Sequence, residues 1–190
     1  MNDRIFRSIN ELAGSSRFVD FIMVTLSKRT RYVYLFVLLL LLFQAKFNKR
    51  KTLIAGVTLS ITYLLSMLMK RIFYKPRPFL KQAVHLLPPV PSRKDSSFPS
   101  KHTALAFAMS AFVFVYHRTW GLGLWLLSLL VGISRIWMGQ HYPSDIVGSA
   151  ILGNITAFVV KFTEKYWRPF LERTLHSYSH FRISSRQIQD

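Results

Sequence analysis

Three short blocks of this 190-residue chain set polar residues at the ends of apolar runs. The first is Lys70, six residues, then Arg77-Pro78. The second is Pro99-Ser100-Lys101-His102. The third is Ser134-Arg135, five residues, His141, three residues, Asp145. Cations together with helix N-terminal amides describe a phosphate site. Two histidines can divide a phosphoryl transfer, one attacking phosphorus and the other protonating the departing oxygen. Asp145 can accept a hydrogen bond from one ring nitrogen of His141 and so hold the tautomer whose other nitrogen is free to attack.

The local sequence suggests how each group is aimed. Lys70 and Arg77 are seven apart and share a face if their helix persists. The Pro76-Arg77-Pro78 break would instead lift Arg77 towards the substrate. Ser100 stands where the next apolar run begins, so it is expected to cap that helix and point the amides of Lys101 and His102 at an anion. Arg135 brings a bidentate fork from a neighbouring run, and Pro143 marks a helix start. Taken singly, each residue has a plainer reading. Lys70 or Arg135 alone would be an interface anchor, Ser134 would bond its own helix, and His85, His117, His176 and His180 read as solvated. The combined spacing is what argues for chemistry.

The acidic inventory argues against metal. There are eight Asp and Glu residues in the chain, and of these only Asp95 and Asp145 lie near the three blocks. Two histidines and one aspartate could hold a single zinc ion, but three adjacent cations oppose it. No metal and no cofactor are expected. There is no cysteine, hence no thiolate chemistry.

The elements that must carry these blocks are apolar helices. Hydrophobic residues make up 51% of the chain, beside a formal net charge of +18. That pairing fits a membrane protein with apolar spans and basic loops. Nucleic acid is not an expected partner, because the cations sit in short clusters between apolar runs and not along one face. A crossing takes roughly 20 mainly apolar residues. Tyr32–Phe47, Leu53–Met69, Ala104–Tyr116, Leu122–Ile133 extended to Trp137, and Ile146–Phe162 are the candidates. Phe18–Leu26 is a weaker one, either joined to Ile5–Leu12 or lying along the interface. The expectation is an all-α polytopic bundle of six transmembrane helices forming one domain over 1–190. Its motif core runs from 70 to 145, and a basic cytoplasmic tail spans about 163–190.

Topology brings the blocks together. The first closes one span and the second opens the next. The Ala104 run crosses and the Leu122 run returns, so Ser134, His141 and Asp145 come back to the same face. Placing Lys46, Lys49, Arg50, Lys51 and the basic tail inside agrees with the positive-inside rule and puts the blocks outside. With six spans the N-terminus would also be inside.

The blocks resemble the signature of the type 2 phosphatidic acid phosphatase family, which also contains vanadium haloperoxidases and glucose-6-phosphatase. Ten positions from Lys70 to Asp145 match it by type and spacing. The resemblance implies a helical bundle acting without metal through a phosphohistidine. His141 would be the nucleophile, Asp145 its orienter and His102 the acid. Lys70, Arg77, Ser100 and Arg135 would bind phosphate. Lys101 stands where the family has glycine, and its added cation would suit a diphosphate. Within the family, Ser134–Pro143 looks most like bacterial bacitracin-resistance undecaprenyl pyrophosphate phosphatases. That likeness implies a polyisoprenoid diphosphate or phospholipid phosphate as substrate, and a bacterial cytoplasmic membrane with the site facing outside.

Overall fold

The computed structural model describes residues 1–43 and 49–187, with side-chain surroundings for 1–40 and 51–170. Lys46 falls outside that description, as do the side chains of Lys49, Arg50, His176 and His180. The described residues form helices α1 (Asn2–Asn10), α2 (Arg17–Phe43), α3 (Lys49–Ile72), α4 (Pro78–Lys81), α5 (Lys101–Tyr116), α6 (Arg118–Trp137) and α7 (Pro143–Gln187). Three stretches are long and apolar enough to cross a bilayer, namely Lys51–Ile72, Arg118–Trp137 and Pro143–Phe170. The all-α membrane bundle expected from sequence is what forms.

Helix α5 is the hub. It is apolar on every face, as a helix surrounded by protein must be. Ala104, Phe107, Ala108, Met109, Ala111, Phe112 and Val113 are all buried. It packs on α7 and α6 along most of its length, and on α3 and α2. Small residues permit the closest approach: a Cβ on Gly153 of α7 would lie 2.3 Å from the Ala104 carbonyl and 2.8 Å from the Ala108 amide. Backbones that near exclude any side chain. Gly153→Leu is therefore expected to destabilise the bundle by about 1–3 kcal/mol or more, seen as a lower thermal midpoint in detergent; an unchanged midpoint would refute the tight crossing.

The N-terminal runs differ from expectation. Phe18–Leu26 and the Tyr32 run are one continuous helix of 27 residues, about 40 Å long. The break falls earlier, at Gly14, whose φ of +85° ends the amphipathic α1 segment. Helix α2 runs antiparallel to α6 along its depth. Trp137 Nε1 donates to Asp20 Oδ1 at 2.8 Å, Arg135 Nη1 to Ser27 Oγ at 2.7 Å, and Tyr34 Oη meets Ser128 Oγ at 2.6 Å. Helices α2, α3, α5, α6 and α7 run between the two ends of the bundle, and α1 lies at the motif end, docked through Phe6 on Ile136, Tyr142 and Ile146, so the described helices do not confirm a sixth span. The opposite end is marked by Lys51 and Lys161, each 4.9 Å from the centre of the Tyr116 ring.

Candidate active site

A four-residue period on α3 aims the first cation. Thr58, Thr62, Ser66 and Lys70 line one buried face. Each hydroxyl returns a hydrogen bond to the carbonyl four residues earlier, at 2.7–2.8 Å, so none is left unpaired in the core. Lys70 continues that face at the helix end, where its ammonium meets the Ser96 carbonyl and, at 3.3 Å, Asp95 Oδ1. The helix stops at Ile72. Arg77 does not stay on the Lys70 face of a longer helix; extended backbone at Arg77, before the short α4, carries it over the site.

The Arg77 guanidinium joins the three blocks. Nη2 donates to Asp95 Oδ2 at 2.8 Å and Nε to the Asp95 carbonyl at 3.2 Å. Nη1 donates to the Gln140 carbonyl at 3.1 Å and lies 3.3 Å from His141 Nε2. Arginine has no lone pair to offer, so this approach requires the lone pair to be on His141 Nε2. The ring proton then belongs on Nδ1, which faces Asp145 Oδ2 at 3.8 Å. That separation exceeds a hydrogen bond and is an electrostatic contact. His141 is only 2% exposed. Burial, reinforced by the Arg135 and Arg77 charges, pushes its pKa down to about 3 despite Asp145, so the imidazole is neutral at ordinary pH.

Asp145 is fixed by groups the motif spacing did not reveal. Lys75 Nζ lies 2.6 Å from Oδ1; Ser97 Oγ donates to Oδ2 at 2.5 Å and the Tyr142 amide at 2.9 Å. Lys75 also sits 4.8 Å over the Tyr142 ring and donates to Ser144 Oγ at 2.8 Å. Pro143 opens α7 as expected, setting His141 and Asp145 on the turn and first coil of that helix.

Asp95 has a different position. Its carboxylate bridges Lys70 and Arg77, so two cations suited to phosphate face an internal anion. Partial burial alone would raise its pKa, but Lys70 and Arg77 together hold it below the usual carboxylate range.

The second block departs from expectation in two ways. Ser100 occupies the N-cap position of α5 but makes no side-chain cap. Its Oγ accepts from Thr103 Oγ1 at 3.0 Å, and its amide donates to Ser149 Oγ at 2.8 Å. The first-turn amides of α5 are still the orphan donors of a helix start. Lys101 is helical without positive φ, so the family glycine is not needed for conformation. Its ammonium leans on α3, 3.7 Å from Met67 Sδ and 5.9 Å from the Tyr63 ring centre.

His102 shares a cavity of about 380 Å³ with Arg135 and Gln140. Arg135 is 7% exposed, and its Nε–H has no partner among the described residues. A buried donor without a partner is costly, and an anion in the cavity would supply one. Ser134 bonds the Val131 carbonyl at 2.7 Å, which is its plainer reading. His85 is exposed, as a solvated residue would be, while its backbone is clamped by Asn10 through Nδ2 and Oδ1 at 2.9 Å each. Among the described residues no three His, Asp or Glu side chains gather as a metal-holding group.

Residues 51–169 match the pattern of the PAP2 superfamily. The chain belongs to the PAP2 superfamily. It is similar to the undecaprenyl-diphosphatase BcrC of Bacillus subtilis, with 34% identity over 94% of this chain and 92% of that protein. Over a shorter stretch, 36% of this chain and 34% of the relative, it is 49% identical to a protein of Bacillus licheniformis named bacitracin transport permease protein BcrC. Its structure resembles the crystal structure of Aquifex aeolicus LpxE, at a TM-score of 0.68 and 28% identity over 84% of this chain and 93% of that one. This PAP2 protein is an integral membrane lipid phosphatase.

Proposed function

We propose that this PAP2 enzyme removes the terminal phosphate of undecaprenyl diphosphate, or of a closely related polyisoprenoid diphosphate, through a phosphohistidine on His141. The single observation that carries the mechanism is the convergence of Arg77 Nη1 on His141 Nε2 at 3.3 Å. A cation suited to phosphate and a neutral nucleophilic nitrogen thereby share one point. Nε2 bonds to the terminal phosphorus while the bridging P–O bond breaks and its electron pair leaves with the lipid phosphate. His102 protonates the departing oxygen where a proton is needed. Water then attacks the phosphohistidine, giving a proton to His102, and the N–P electron pair returns to Nε2. Lys70, Arg77, Arg135 and the first-turn amides of α5 stabilise the charge on the phosphoryl oxygens.

The relative named a permease raises a transport reading. A transporter places its polar groups near the bilayer midplane on broken helices. Here Lys70, Arg77, His141 and Asp145 gather at one end of unbroken ones, which favours hydrolysis at the lipid–water boundary. The charge distribution supports an orientation with this end, and α1, outside a bacterial cytoplasmic membrane. Lys51, Lys161 and the basic stretch from about 163 would then face the cytoplasm.

The test is purified protein in excess EDTA, given undecaprenyl diphosphate, phosphatidylglycerol phosphate and phosphatidic acid. Phosphate release is expected, greatest on the diphosphate, with vanadate inhibiting and EDTA leaving the rate intact. Loss of activity in EDTA would overturn the metal-independent mechanism. Equal rates on all three lipids would overturn the substrate assignment.

A further inference from the structure

Two cations of α2, Lys28 and Arg31, lie outside the motif blocks. Both nevertheless line the cavity that holds His102, Arg135 and Gln140. They stand three residues apart, on one helical face. The depth of that face is set by its partners on α6. Ser27 is level with Arg135 through their 2.7 Å contact, and Tyr34 is level with Ser128. Arg31, four residues past Ser27, therefore sits one turn, about 6 Å, further into the bilayer than the Arg135 contact.

Beneath it begins a second cavity of about 540 Å³, walled by Leu35, Leu38, Leu59, Leu105 and Met109. Ser27, Arg31 and His102 border both cavities. From the aqueous end inwards the order is the cations of the reaction site, then Arg31, then an apolar groove. The Arg31 guanidinium rests on the exposed Tyr32 ring, 4.9 Å from its centre, with Nη2 3.0 Å from the phenol oxygen. An arginine at a span end is ordinarily an interface anchor. Arg31 differs in bordering both the cavity of His102 and Arg135 and the apolar groove beneath it.

We propose that Lys28 and Arg31 form a second phosphate subsite, which holds the lipid-side phosphate of a lipid diphosphate while the terminal phosphate lies at Lys70, Arg77 and Arg135. The inference rests on the lipid phosphatase reading above and narrows it to a preference for diphosphates. When the bridging P–O bond breaks, its electron pair stays on the lipid phosphate, so negative charge grows where Arg31 stands. An interaction that strengthens during bond cleavage raises the rate and not only the affinity. A lipid monophosphate places its one phosphate in the reaction site and brings no second phosphate to Arg31. Diphosphate lipids thus gain from Arg31 what monophosphate lipids do not.

The experiment compares wild type, Arg31→Ala, Arg31→Lys and Lys28→Ala/Arg31→Ala on farnesyl diphosphate and farnesyl monophosphate, which share one tail. The diphosphate kcat/KM is expected to fall about 10- to 100-fold in Arg31→Ala, at least tenfold more than the monophosphate value. Arg31→Lys should recover part of the loss, and the double variant should lose more. Inorganic pyrophosphate should also inhibit monophosphate turnover less well in Arg31→Ala than in wild type, whereas inorganic phosphate should inhibit both alike. Equal losses on the two lipids, or no loss on the diphosphate, would overturn the subsite while leaving the phosphatase standing. A wild-type protein inert on both lipids would overturn the phosphatase reading and the subsite with it.

Discussion

His141→Ala is expected to lower phosphate release by roughly a factor of 10⁴ or more while leaving the protein folded. The ring fills a buried position, so the variant opens a small cavity, yet the bundle core lies elsewhere, around Met109, Phe112 and Val113. The wild type, quenched in alkali after mixing with labelled diphosphate, should carry an acid-labile phosphoryl group that the variant lacks. Turnover by the alanine variant above a thousandth of wild type would remove His141 as nucleophile. The same residue fixes a pH expectation. An imidazole is neutral above its pKa, here about 3. Protonation of free-enzyme His141 therefore contributes no fall in kcat/KM between pH 8 and pH 5. An acid limb near pH 6 that vanished when His141 alone was altered would contradict the burial argument.

Asp145→Asn is the second large effect, about a 10³-fold loss in kcat with KM changed little. The substitution keeps the size of a side chain that is fully buried, so packing survives. It removes the charge that faces His141 Nδ1 at 3.8 Å and Lys75 at 2.6 Å. An amide turned towards the ring favours the tautomer with its proton on Nε2, and that proton occupies the lone pair needed for attack. Lys75 is about one-third exposed, so water can solvate the ammonium left behind. An asparagine variant keeping a tenth of wild-type kcat would show that ring orientation does not depend on the carboxylate.

What the sequence disclosed, and what it concealed, follows the reach of the chain. Lys70, Arg77, Arg135, His141 and Asp145 were legible because helices returning to one face bring their ends together whatever the loops do. Lys75 and Ser97 escaped notice, and Asp95 was placed near the blocks without its bridge between Lys70 and Arg77. Their partners lie far away in sequence, Ser97 and Asp145 being 48 positions apart, and only the path of the loop before α5 decides which side chains arrive. The ladder Thr58, Thr62, Ser66, Lys70 was written at period four, but hydroxyls in an apolar run weaken a hydropathy signal and so hide the face they define.

The two N-terminal runs were divided for a related reason. Lys28, Arg29 and Arg31 resemble a loop to any hydropathy measure, whereas in the folded chain they ride on a continuous α2, with Lys28 and Arg31 lining the cavity of His102. The Ser100 cap failed because Thr103 was free to engage its hydroxyl, a competition within one helical turn that spacing alone does not rank.

The docking of α1 at the motif end has a practical corollary. Met1 and Phe170 lie at opposite ends of the bundle, so a reporter fused before α1 and one fused beyond α7 are expected to give opposite signals in intact cells; like signals would show that α1 and the end of α7 share a compartment. With no native cysteine to interfere, single thiols introduced at the two ends would be reached by impermeant reagents from one side each.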